Sequence, residues 1–181
     1  MIIFRESVKL EEILQSAGVF QIQTLKNQMA SNAELNHTLT TPMGELPKYQ
    51  FLTDNDWIKS YSLLSAIEYT IQNRAAESYF IKTSSGIYVG FIALLFKLED
   101  GKTIVNDIKM FSFGLSPKED ENMIRRDVPN LLDQCLKRFP KVRWEAMKNN
   151  KANIAYEIYR KKHNGIRKDL GNCWEYICYG E

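Results

Sequence analysis

The chain opens on a short apolar run, Ile2 to Phe4, that reads as a strand, after which Ser7 stands where it can cap a helix. Leu10, Ile13, Leu14 and Ala17 follow at i, i+3, i+4, i+7 up to Gly18, and the pattern resumes with Ile22, Leu25 and Met29. From Ser31 to Lys48 polar residues take over, with Pro42, Gly44 and Pro47. That composition predicts a surface loop, either a substrate-side flap or a plain connector. Asp54 then begins a second amphipathic helix carrying Trp57, Tyr61, Leu64, Ile67 and Ile71.

In the middle of the chain the period shortens to two. Ser78 to Thr83, Ile87 to Phe96 and Lys102 to Phe113 read as three strands of an antiparallel meander, with an Asp-Gly hairpin signal at Asp100-Gly101. Ser116 to Asp127, SPKEDENMIRRD, is a charged loop that opens a helix through Val128, Leu131, Leu132, Cys135 and Leu136, with Pro129 tolerated in its first turn. Val142, Trp144 and Ala146 alternate until Asn149-Asn150. A segment of helical period with Ala152, Ala155, Tyr156 and Tyr159 follows, so Ala152 and Tyr156 share a face and Asn149 sits at the helix entrance. Two short strands close the chain, around Ile166 to Leu170 and Cys173 to Tyr179.

Composition narrows the reading. A chain of 181 residues with 44% hydrophobic content suits one domain over its whole length, with a core that needs neither disulfide nor metal. Twenty-four Lys and Arg against 22 Asp and Glu leave a net charge of +2, which gives no bulk electrostatic case for a nucleic-acid or membrane partner. Cys135, Cys173 and Cys178 form no CxxC pair and lie near neither His37 nor His163, so buried reduced thiols are expected and no metal site. The start lacks a signal-peptide pattern and the longest apolar run, Ile87 to Phe96, is too short to span a bilayer. A soluble, cytoplasmic protein is the expectation.

The element order, together with Asn149, Ala152, Tyr156 and Glu157, resembles the GNAT superfamily of acyl-CoA-dependent N-acyltransferases. Gly90-Phe91-Ile92 is similar to the family's glycine-apolar-apolar step, and Phe113, Leu115 and Pro117 to the end of its cofactor strand. The resemblance implies an α/β (α+β) fold with a mixed, mostly antiparallel sheet flanked by helices. It implies acetyl-CoA or another acyl-CoA as cofactor, and a small-molecule or peptide amine as acceptor. One departure is plain. Where the family has a glycine-rich loop whose amides wrap a diphosphate, this chain has Glu121, Met123 and Arg125 in the glycine positions, with only the apolar Ile124 retained. Losing two hydrogen bonds to a charged acceptor costs roughly 3 to 6 kcal/mol. Lys118, Arg125 and Arg126 are the side chains that can replace them, or they pair with Asp120, Glu121 and Asp127.

The resemblance assigns the proton donor to the leaving thiolate to Tyr156, with Tyr159 as the alternative, and a pantetheine contact to Asn149, which as an Asn at a helix start can equally be a cap. The oxyanion donor is expected in the main chain near Phe111 to Phe113, and Asp107 or Glu145 as general base. A basic cluster, Arg160-Lys161-Lys162-His163 with Arg167-Lys168, follows the tyrosines and either approaches the nucleotide or complements the helix dipole. Trp174, Tyr176 and Tyr179 can pack a homodimer if exposed, or pack into the sheet core. The alternative function is an inactive GNAT-like binding or regulatory module, or an acyltransferase with a different acyl carrier.

Overall fold

The computed structural model describes residues 2–4, 12–47, 57–73, 75–83, 86–114 and 117–180. Among the described residues seven strands are hydrogen-bonded neighbours in one sheet: β1 Ile2–Phe4, β2 Ala76–Thr83, β3 Tyr88–Glu99, β4 Lys102–Ser112, β5 Lys141–Met147, β6 Ile166–Asp169 and β7 Cys173–Tyr179, in the order β1-β2-β3-β4-β5-β7-β6. Its helices are α1 Glu12–Ser31, α2 Ala33–Thr40, α3 Leu63–Gln72, α4 Pro117–Asn122, α5 Val128–Arg138 and α6 Asn153–Lys162. β1 pairs with β2, and β7 with both β5 and β6, in antiparallel fashion, whereas β4 and β5 are parallel. This is the mixed, mostly antiparallel α/β architecture that the sequence predicts. Asp100 and Gly101 both adopt positive φ, 52° and 75°, which matches the twist of the β3–β4 hairpin they close.

The chain gathers into two compact units, residues 1–93 with 110–120, and residues 94–109 with 121–181. In the first, α1 carries the periodic pattern through Gly18 without a break to Ser31. Ser7 and Leu10 lie outside the described residues. Leu25 and Met29 of α1 pack with Leu35, Leu39, Leu63, Ile67, Phe80 and Phe91 in one buried cluster. Gln28 ties α1 to the start of β3, donating to Gly86 O and accepting from Tyr88 N–H, both at 2.9 Å.

The predicted loop from Ser31 to Lys48 is corrected by α2. Asn32 caps it by accepting the Leu35 N–H at 3.0 Å, and Leu35 and Leu39, one turn apart, are fully buried. Two leucines suffice because tertiary burial, not intrinsic propensity, holds so short a helix. The second predicted helix begins later than expected. Ser62 caps α3 by accepting the Ser65 N–H, and Trp57 lies in a separate 3₁₀ turn, Trp57–Ser60. Asp54 is outside the described residues.

In the second unit, Val128, Leu131, Leu132 and Cys135 of α5 are buried, as are Val142, Trp144 and Ala146 of β5 and Tyr176, Ile177 and Cys178 of β7. The charged segment expected as a loop is helical from Pro117 onward. Between α4 and α5 it widens into a π turn, Met123–Asp127, with the Val128 N–H on Met123 O. Pro129 supplies the reason: it has no N–H for the carbonyl four residues back and its ring crowds that carbonyl, so the preceding turn opens. The closing aromatics divide between the two expectations. Tyr176 is fully buried, and Trp174 is half-buried between Lys148 at 4.5 Å and Arg167 at 4.0 Å, which leaves Tyr179 as the exposed one.

Candidate functional site

The turn from β5 into α6 is built by asparagines other than the one expected. Asn150 accepts the Ala152 N–H on its side chain at 2.9 Å, and its own N–H donates to Met147 O at 2.9 Å. Asn153 donates from its side-chain amide to Met147 O at 2.7 Å. Asn149 is exposed and makes no hydrogen bond among the described residues, so the cap falls to its neighbour. Register explains the shift: β5 ends at Met147, two residues ahead of Asn149, and α6 begins only at Asn153.

Ala152 and Tyr156 do share one face, with the Tyr156 N–H on Ala152 O at 3.0 Å and both side chains buried. Tyr156 meets Trp144 and Tyr176 edge-on, with ring centroids 5.7 and 5.6 Å apart. Its hydroxyl makes no hydrogen bond among the described residues. Burial first, then Tyr176 and the Asp107 carboxylate, raises its pKa well above the ordinary tyrosine value, so the hydroxyl keeps its proton. Tyr159 differs. Its hydroxyl donates to Asp133 on α5 at 2.8 Å, and that partner was not foreseen because it stands 26 residues away.

Of the two candidate bases, the structure brings Asp107 into electrostatic reach of Tyr156. Asp107 accepts its neighbour Ile108's N–H and pairs with Lys109 at 2.9 Å. It stands two residues beyond Val105, which pairs with Val142 in the parallel β4–β5 ladder. Glu145 is exposed and ion-paired with Arg143. Arg143 also donates to Glu175 at 2.7 Å and to Asn106 O at 3.0 Å, which clamps β5 to β7 and to β4.

The other unit holds Phe111 and Phe113. Both rings are buried in its core, and Phe111 stacks on Phe91 at 6.3 Å. The Phe113 N–H donates to Val89 O at 2.9 Å. That bond removes it as an oxyanion donor. Beyond it the Ser112 hydroxyl donates to Asp120. Leu115 is outside the described residues, and Lys118 is exposed. A buried pair that the sequence reading missed lies on β2, where the Tyr79 hydroxyl donates to Glu77.

A diphosphate held by main-chain amides needs N–H groups that are free. From Glu121 through Asp127 the backbone is helical, so those amides lie inside the α4 and π-turn ladders. Ile124 is half-buried among them. Arg125 pairs with Glu121 at 3.2 Å and Arg126 with the buried Asp127 at 3.3 Å. The main-chain cradle that the resemblance implies therefore does not form. What remains for an anion is side-chain charge, chiefly Arg125, whose exposed i, i+4 pair is worth only about 0.3 to 0.5 kcal/mol.

Among the described residues no group of three or more His, Cys, Asp or Glu is placed to hold a metal ion, and no helix is long and apolar enough to cross a membrane. None of Cys135, Cys173 and Cys178 is in a disulfide.

No family model matches the chain, and no curated protein does. Solved structures do. A chimera of the Vibrio cholerae spermidine N-acetyltransferase SpeG and hSSAT aligns with a TM-score of 0.55 at 10% identity, covering 98% of this chain and 95% of its own. The Vibrio cholerae spermidine N-acetyltransferase in complex with CoA and spermine aligns with a TM-score of 0.52 at 9% identity, over the same shares. The chain thus has the fold of the GNAT N-acetyltransferases.

Proposed function

We propose that this protein is an N-acyltransferase that moves an acyl group from a thioester to an amine. The observation that carries the reading is Tyr156: a hydroxyl that keeps its proton and makes no hydrogen bond among the described residues, on a side chain packed against Trp144 and Tyr176 at the inner face of α6 and within the field of Asp107. A donor with no partner inside the protein is open to one that arrives with the substrate.

In the reaction the amine nitrogen attacks the thioester carbonyl. The C–N bond forms, the C–S bond breaks, the nitrogen loses a proton and the sulfur leaves as a thiolate that gains one. Tyr156 donates a hydrogen bond to that sulfur as charge develops on it. Its raised pKa makes it a stabilising donor more than a net proton source, so the proton that ends on sulfur is supplied by the amine. We assign the relay to Asp107, which takes the proton from the amine and gives it up to the departing thiolate. Glu145, an exposed carboxylate paired with Arg143, is the other candidate.

The donor that the family resemblance implies is acetyl-CoA or another acyl-CoA, and the amine class is supported by the spermine-bound neighbour. Thiol release from acetyl-CoA with a panel of amines that includes spermine and spermidine tests the reading. Release that depends on an amine supports it, and no release from any thioester overturns it. Calorimetry with acetyl-CoA tests the donor separately. No heat at millimolar ligand overturns the CoA form and favours the second reading, a binding module or a different acyl carrier, to which the missing cradle points.

A further inference from the structure

We propose that the outer face of α6 docks an acidic protein that carries the acyl group on a pantetheine arm, and that this docking replaces the nucleotide grip which the α4–α5 segment lacks. The inference rests on the N-acyltransferase reading and names its donor.

The inner face of α6 is spent on the core through Ala152, Tyr156 and Tyr159. The outer face carries Ile154 and Ile158, one turn apart and 71% and 65% exposed. Lys151 stands three residues before Ile154, and Lys161 and Lys162 three and four after Ile158, so the ridge runs cation, isoleucine, isoleucine, cations. Single exposed apolar residues are ordinary on a protein surface. An apolar centre rimmed by charge of one sign has the anatomy of an interface and fixes the sign of its partner.

The charge is concentrated here. Between Lys148 and Asp169 there are seven basic and two acidic side chains, in a chain whose net charge is only +2. Both acids are occupied internally: Glu157 by Arg160 at 3.0 Å and Arg167 at 3.4 Å, Asp169 by Lys148 at 2.7 Å. Lys151, Lys162 and Lys168 have no ion-pair partner among the described residues. The dipole of a ten-residue helix accounts for cations in its last turn, but not for Lys151 at its start, where a positive charge is unfavourable. An anionic partner restores the balance along the whole ridge. Two isoleucines give a membrane too little apolar area, whereas they suit the small apolar contact of a protein helix flanked by carboxylates.

A pantetheine thioester on a protein carrier presents the same reacting bond as acyl-CoA without the adenosine diphosphate. The absence of free amides at Glu121 to Asp127 then costs nothing, because the recognition energy comes from the carrier's surface. The step balances unchanged: C–N forms, C–S breaks, and the amine's proton accompanies the release of the pantetheine thiol.

The test compares three donors at saturating amine: a purified acyl carrier protein charged with an acetyl thioester, acetyl-CoA and acetylpantetheine. It uses the whole chain and two variants, Ile154→Ser with Ile158→Ser, and Lys151→Glu with Lys162→Glu, all at exposed positions that leave the melting temperature unchanged. The expected result is the highest kcat/KM with the carrier protein, a rise in KM for it of about tenfold or more in each double variant, and unchanged kcat on acetylpantetheine. An unchanged carrier KM overturns the inference. So does a preference for acetyl-CoA, or cosedimentation with anionic phosphatidylserine vesicles that the same variants abolish; acyl transfer from a free thioester then still stands. Thiol release from none of the three donors overturns the acyltransferase reading itself, and the inference with it.

Discussion

The Tyr159 hydroxyl donates to the Asp133 carboxylate at 2.8 Å, joining α6 to α5, while three residues earlier on the same helix Tyr156 has no such partner. This separates two tyrosines that the sequence leaves as alternatives. Tyr156→Phe is expected to cut kcat about tenfold or more with little change in KM for the thioester, and to leave the melting temperature nearly unchanged. Tyr159→Phe removes a hydrogen bond to a carboxylate that keeps water and His163 as partners, and is expected to cost about 0.5 to 1.5 kcal/mol of stability with kcat preserved. Steady-state kinetics and thermal melts on both variants check this; the reverse pattern would move the donor to Tyr159.

The asparagines at the head of α6 offer an equally direct comparison. Asn150 caps the turn at 2.9 Å and Asn149 points to solvent. Asn150→Ala is expected to destabilise by about 0.5 to 2 kcal/mol, and Asn149→Ala by nothing measurable in urea titration. If Asn149→Ala lowers affinity for the acyl donor at unchanged stability, the pantetheine contact suggested by the resemblance is real.

Glu157 carries a pH signature. The hydrogen bond from Arg160 holds its carboxyl below the ordinary 4.5, with further help from Arg167. A depressed folded-state pKa contributes stability that is present above the unfolded value and is lost as pH falls through the folded one. Acid titration of the melting temperature should therefore show the wild type losing its advantage over Glu157→Gln below about pH 4.5, with the two curves converging in stronger acid. A constant offset down to the acid limit would sink this assignment.

Gly180 sits where no side chain fits. A Cβ there would lie 2.5 Å from Phe139 O and 2.7 Å from Leu136 O, while the Gly180 N–H holds Pro140 O at 2.9 Å. Backbone oxygens at the end of α5 cannot yield as a flexible side chain would. Gly180→Ala is expected to cost about 1 to 3 kcal/mol, read from the midpoint of denaturant unfolding, with far-UV circular dichroism unchanged under native conditions.

Much of the fold was legible because it is written in local period. Val142, Trp144 and Ala146 alternate and are buried, Ala152 and Tyr156 stand one turn apart and share a face, and Asp100-Gly101 turns where its residue types require. Where the period was thin the reading failed: α2 shows only Leu35 and Leu39, and the stretch before Val128 is mostly charged, with Met123 and Ile124 side by side and no helical period. Neither pattern differs from that of a solvated loop until something buries it.

The candidate site divides along the same line. The sequence by itself determined which residue types stand at the β5–α6 join and that free glycine amides are missing from Glu121 to Arg125, since both are matters of local order along the chain. Only the tertiary structure decided how the polar groups are shared out: Tyr159 to Asp133, Arg143 to Glu145 and Glu175, the cap to Asn150, and Tyr156 to no partner. The physical reason is that a periodic stripe depends on neighbours within a turn or a strand, whereas a hydrogen bond depends on which distant segment arrives within about 3 Å.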